Sequence, residues 1–250
     1  MKSYIQLILI SFILCAFKIY SSEQSAGNNC LDMLKKQYGS MSYELALEDG
    51  KVFYLNYTVS TTFSEKHGGE EYQTTVKIYA NKYKSYFISK EVEVYQDKSY
   101  KISILPAKKI IFLAGYPGDE IKETKMKSLS FMQDTLLSLS TVEYCRNVTL
   151  KNGEKYKKVK LKINDSGKKL FKASTLEFLI DEKNNQIKQV LLKYVQKHHI
   201  AQLKIVFNVV DYDHKSTKLD KKPLAQVFNA DGELLVKYKN YKVIDNRNMR

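Results

Sequence analysis

The chain has 250 residues, a formal net charge of +14, 44% hydrophobic residues, 19 Tyr, 10 Gly and 3 Pro. So much apolar and aromatic material with so few chain breakers excludes a disordered or low-complexity polymer and suits one large folded domain. The charge raises nucleic acid as a partner, yet the only arginines are Arg146, Arg247 and Arg250, and lysine lacks the planar fork that reads phosphates and guanine edges.

Residues 1–22 read as a secretory leader, with Lys2 supplying positive charge and Ile5 to Phe17 a short apolar run, too short for a comfortable membrane span. The remainder, 23–250, reads as one exported domain. Cys15 lies in the leader, so Cys30 and Cys145 remain after export. In an oxidising compartment they can pair, closing a loop worth roughly 4 to 5 kcal/mol by chain entropy; two separate buried thiols are the other reading. Asn28-Asn29 can cap a helix over 30–38, where Leu31, Leu34 and Tyr38 recur at helical spacing before Gly39.

Strands follow. In 51–60, Phe53, Leu55, Tyr57 and Val59 alternate onto one face, and after Gly68-Gly69 so do Tyr72, Thr74, Val76 and Ile78. Shorter runs stand at 83–89, 99–105 and 108–114, with Pro106 between the last two. The segment 115–142 interrupts the pattern: Phe131, Leu136 and Leu139 recur near helical spacing behind Ser130, as a permanent plug of the core or as a movable lid. Strands over 144–150 and 156–163 should turn at Asn152-Gly153. The stretch 175–211 is an antiparallel meander, with Leu176, Phe178 and Ile180 on one face, joined by Leu203, Ile205, Phe207 and Val209, while Glu177, Lys204 and Asn208 point away. Lys158, Lys160 and Lys162 alternate as a solvated outer face, with a weak attraction to anionic headgroups. Pro223 starts a short helix, Asp231-Gly232 turns the chain, and 235–244 reads as a closing edge strand.

No nucleophile elbow, phosphate loop, dinucleotide fingerprint, zinc motif or Cys-x-x-Cys occurs, so neither catalysis nor a cofactor is expected. Asp211-Tyr212-Asp213 opens like a calcium loop, but Ser216 and Lys222 stand where it needs glycine and glutamate. His198-His199 reads as an exposed pair rather than a metal site, and sequence places neither acid nor nucleophile beside His67.

CLDMLKKQYGSMSYEL…FYLNYTVSTTF, together with KLFKASTLEFLIDEKNNQIKQVLLKYV…LKIVFNVV and its Ile180-Asp181…Ile187 turn, resembles the LolA/LolB-like lipoprotein carriers of the bacterial envelope. The resemblance implies a mainly β fold with a few helices: an unclosed antiparallel barrel with an N-terminal helix and a helical lid over an apolar cavity. It implies a periplasmic monomer binding the acyl chain of a lipoprotein or lipid, with brief membrane contact. The family's early-strand arginine has no counterpart before Arg146. The expected lining is Leu55, Tyr57, Val76 and Ile78 on the first hairpin, and Ile102, Ile104 and Phe112 on the next strands. Phe178, Leu191 and Phe207 follow on the meander, with Phe131, Leu136 and Leu139 on the lid. The alternative is an envelope interaction protein whose core is filled and whose surface docks a protein partner.

Overall fold

The computed structural model describes residues 30–36, 51–115, 135–150, 152–184 and 186–247. A helix, α1, covers 30–36. The first strands are β1 (Phe53–Phe63), β2 (Glu71–Ala80), β3 (Ser85–Ile88), β4 (Glu93–Gln96), β5 (Tyr100–Leu105) and β6 (Ile110–Gly115). After a short helix α2 over 135–138 come β7 (Ser140–Thr149), β8 (Lys155–Ile163), helix α3 (Asp165–Phe171), β9 (Ala173–Asp181), β10 (Gln186–Tyr194), β11 (Ile200–Asp211) and β12 (Lys242–Asn246). All twelve strands form one sheet in the order β12-β6-β5-β4-β3-β2-β1-β11-β10-β9-β8-β7. β7 and β12 stand at opposite ends and do not pair, so the sheet is unclosed, as the resemblance implies. The expected leader and Phe131 lie outside the described residues.

Hairpin connections dominate because the breaks between apolar runs are too short for a crossover helix. The Asn152-Gly153 turn forms, with Gly153 at φ 84° and its N–H donating to Leu150 O at 2.9 Å. β12 departs from the rule: it pairs in parallel with β6, Ile244 opposite Phe112 and Val243 opposite Ile111. It is also shorter than the edge strand expected over 235–244, because Val236–Tyr238 forms a 3-10 turn instead. β4 was not among the expected strands, since Glu93 and Gln96 dilute its alternation.

The sequence pattern does not anticipate α3. Its cap is Asn164, whose side chain accepts from the Gly167 N–H at 2.9 Å, with Asp165 in the first turn. Gly167 is required for space: a Cβ there would stand 2.5 Å from Ile163 Cγ2 and 3.2 Å from Leu139 Cβ. Overpacking of this kind costs about 1 to 3 kcal/mol, so Gly167→Ala should lower the urea midpoint at unchanged slope; an unaltered midpoint would show that β8 and α2 yield freely.

Because side chains alternate across a strand and cross-strand partners share a face, the register divides the sheet into two surfaces. One, here the α1 face, carries a buried cluster built on Leu55, Tyr57, Val76, Phe178 and Ile205, with Leu34 of α1 packed into it at 0% exposure. Cys30 of α1 is joined by a disulfide to Cys145 of β7, closing 115 residues. The other surface, the strap face, carries a second cluster over β2–β6: Tyr79, Tyr86, Tyr95, Ile102, Ile104 and Ile111, under Leu219, Val227 and Tyr238 of the C-terminal segment.

That segment is fastened by polar groups. Lys84 Nζ donates to the carbonyls of Leu219, Asp220 and Lys221, and Tyr86 Oη donates to Lys221 O while accepting from Gln226 Nε2 at 3.2 Å. Tyr95 Oη and Tyr238 Oη both donate to Glu93 Oε2, at 2.6 and 3.4 Å. Burial pushes both phenol hydroxyls up from their ordinary range, and the neighbouring Glu93 carboxylate adds to it, so both remain donors at any physiological pH.

Candidate functional site

The expected lining residues separate onto the two surfaces. Leu55 pairs with Ile78 and Tyr57 with Val76, all on the α1 face; Phe178 and Phe207 join them there. At the β1–β2 and β7–β11 end this face is filled: Leu55, Tyr57 and Phe178 are 2%, 2% and 1% exposed beneath α1. Leu136 and Leu137 of α2 pack against the same cluster, and Leu139 is half-buried just beyond α2. Here α1 and α2 complete a core.

Toward the other end the α1 face changes character. Cross-strand pairing runs Leu55–Ile78–Phe87–Val94–Ser103–Phe112–Ile244 across β1, β2, β3, β4, β5, β6 and β12. From Ile78 onward each of these is half-buried, and Val94, Phe112 and Ile244 belong to neither buried cluster of the described residues. With neighbouring strands about 4.8 Å apart, the row from Ile78 to Ile244 spans roughly 24 Å of nearly unbroken apolar surface. Ser103 is its one polar member.

Ile102, Ile104 and Leu191 correct the sequence reading. Ile102 pairs with Tyr95 and Leu113, and Ile104 with Ile111, which puts both in the strap-face cluster. Leu191 pairs with Glu177 and Lys204, on the side away from α1. Alternation assigns residues to two faces without naming which is covered, and β5–β6 is covered on the strap face. Val209 is the other correction. A bulge between Asn56 and Tyr57 shifts the β1–β11 register, so Tyr57 opposes Phe207 but Asn56 opposes Val209, which turns outward and is 41% exposed. Val210 takes its place against the core. The row members Phe87, Val94 and Ile244 were not expected; the unbroken apolar run Ile110–Ala114 signals the row, since a strand that is apolar on both faces loses alternation.

Two further groups come together through the fold. His67, on the β1–β2 turn, faces His199 with ring centroids 6.3 Å apart, and His199 lies 4.3 Å from His198. Burial lowers the His199 pKa, and the charges of His198 and His67 lower it further, so the ring tends to stay neutral. Among the described residues no group of three His, Cys, Asp or Glu side chains is placed to hold a metal ion. On the strap face of β9, Glu177 accepts from Lys158 at 2.7 Å, with Lys193 at 4.0 Å. Burial raises its carboxyl, but the Lys158 bond and the charges of Lys158, Lys193 and Lys160 outweigh it and hold the pKa below the usual range.

No protein-family model matches the chain, and no curated protein matches it. Several solved structures align with the chain at low TM-score and low identity. A conserved protein from Thermus thermophilus aligns at TM-score 0.39 and 9% identity, over 89% of this chain and 100% of that one. MucB of Pseudomonas aeruginosa, solved with MucA, aligns at 0.41 and 9%, over 83% of this chain and 63% of that one. An outer-membrane lipoprotein-sorting protein domain from Vibrio parahaemolyticus aligns at 0.32 and 8%, over 76% and 94%.

Proposed function

We propose that this is an exported, non-enzymatic carrier or sensor of the cell envelope that holds the acyl chain of a lipoprotein or lipid on the open half of its α1 face. The observation that supports the reading is the half-buried row from Ile78 to Ile244, whose far members Val94, Phe112 and Ile244 lie outside both buried clusters of the described residues. Each methylene taken from water gains about 0.8 kcal/mol, so a long chain laid along such a row is held without a polar anchor. Absence of a catalytic motif is consistent with a site that recognises hydrocarbon alone. The leader-like residues 1–22 and the basic exported domain support a periplasmic location.

The test is uptake of a fluorescent fatty acid by the gently purified protein, with native mass spectrometry for retained lipid. Val94→Glu with Phe112→Glu should weaken uptake at least tenfold while the thermal midpoint moves only slightly, because both positions are half-buried. Wild-type protein that is empty and takes up no probe overturns the reading. A second reading, an envelope interaction protein with a filled core, draws on the packing of Leu55, Tyr57 and Phe178 under α1. It predicts a stoichiometric protein partner whose binding ignores the Val94 and Phe112 changes.

A further inference from the structure

The strap covers only the β2–β6 part of its face. Over β7–β11 no described residue lays apolar cover on that face, and it carries a different chemistry. Pairing sets Lys162, Thr175 and Lys193 in one row, Tyr144, Lys160, Glu177, Leu191 and Lys204 in the next, and Arg146, Lys158, Leu179 and Gln189 in a third. Six cations thus stand together: Arg146, Lys158, Lys160, Lys162, Lys193 and Lys204. The half-buried Tyr144 ring lies among three of them, with Arg146, Lys160 and Lys158 at 4.8, 5.8 and 6.0 Å from its centroid.

Few carboxylates answer them. Glu177 engages Lys158 and Lys193, and Glu143 engages Lys160 at 3.0 Å. Arg146, Lys162 and Lys204 form no ion pair with any described residue. Asp181 and Glu154 lie at the hairpin ends of these strands, outside the three rows. The charge is therefore concentrated on the middle of a five-strand surface roughly 20 Å across.

We infer that this basic half of the strap face docks the protein on an anionic lipid surface, with Arg146, Lys162 and Lys204 as its uncompensated contacts. The patch is a broad sheet surface rather than a groove, and five of its six cations are lysines, which act as point charges toward diffuse negative charge instead of gripping one phosphate. A half-buried tyrosine among cations suits the headgroup layer, where its ring meets partly apolar surroundings and its hydroxyl stays wet. The inference rests on charge placement and is independent of the acyl-chain reading, to which it adds the surface that cargo would leave or enter.

The experiment is flotation of the full chain with phosphatidylglycerol vesicles and with neutral phosphatidylcholine vesicles, at low and high salt. Wild-type protein should float with the anionic vesicles only, and less as salt rises. Each basic residue near such a surface is worth about fivefold in partitioning, so Arg146→Gln, Lys162→Gln and Lys204→Gln together should reduce it about a hundredfold. Lys90→Gln, Lys98→Gln and Lys239→Gln remove equal charge from exposed sites elsewhere and should leave binding within a few fold of wild type. Equal loss in both variants, or no binding by wild type, overturns the inference. So does a protein that ignores vesicles yet is retained by polyglutamate through Arg146, Lys162 and Lys204, which would give the patch to an acidic polypeptide. Failure of fatty-acid uptake would leave the flotation result standing, so the two readings fail separately.

Discussion

Replacing Cys30 and Cys145 together with alanine should lower the unfolding free energy by about 4 to 5 kcal/mol, the chain-entropy value for a loop of this length. The bridge restrains the unfolded chain over 115 residues and, in the native state, holds α1 against β7. Leu34 of α1 is fully buried, so the helix stays apolar toward the sheet without its tether, and folding should persist at reduced stability. Urea titration of the oxidised protein against the double variant measures the difference. A loss under about 1 kcal/mol would show that strain in the bridge or structure in the unfolded chain cancels the restraint.

Val227→Asp should have a comparable effect at the other cluster. Val227, in the strap, is 0% exposed against the tyrosine cluster, its N–H donates to Leu224 O, and its carbonyl accepts from Leu235 N–H at 2.8 Å. A carboxylate there would be buried without a partner, at a cost of about 4 kcal/mol or more, or would force the segment off the sheet. The thermal midpoint should fall by about 10 °C, and limited proteolysis should cut first between 217 and 241. An unchanged midpoint with an unchanged cleavage pattern would mean that the strap contributes little to holding the tyrosine face dry.

The strands were legible wherever one face alone is covered. In β1 and β9, alternation picks out Phe53, Leu55, Tyr57, Leu176, Phe178 and Ile180, and the structure buries all of them on the α1 face. Legibility fails where both faces are apolar or a bulge intervenes. Ile102 and Phe112 are equally apolar in sequence but lie on opposite surfaces, and only pairing with Tyr95 on one side and Ser103 on the other separates them. Val209 fits the alternation of β11 perfectly until the extra residue, Asn208, opposite Asn56 and Tyr57 turns it outward. The strap was read as a short helix, a turn and an edge strand because its grip is made of carbonyls held by Lys84 and Tyr86, and backbone acceptors leave no trace in composition. The lysine patch was visible as alternation in β8, but its extension through Lys193 and Lys204 is a product of register.

The parallel pairing of β12 with β6 bears on biogenesis. Lys242 must find Ile110, so the strap is drawn over the tyrosines only when the segment that carries β12 is present. A polypeptide crossing a translocon from its amino end would display Tyr86, Tyr95, Ile102 and Ile111 to water for most of its passage. If the protein is exported as proposed, such a chain should depend on holdases until release, and a nonsense mutation that spares every earlier strand should still leave it prone to precipitate.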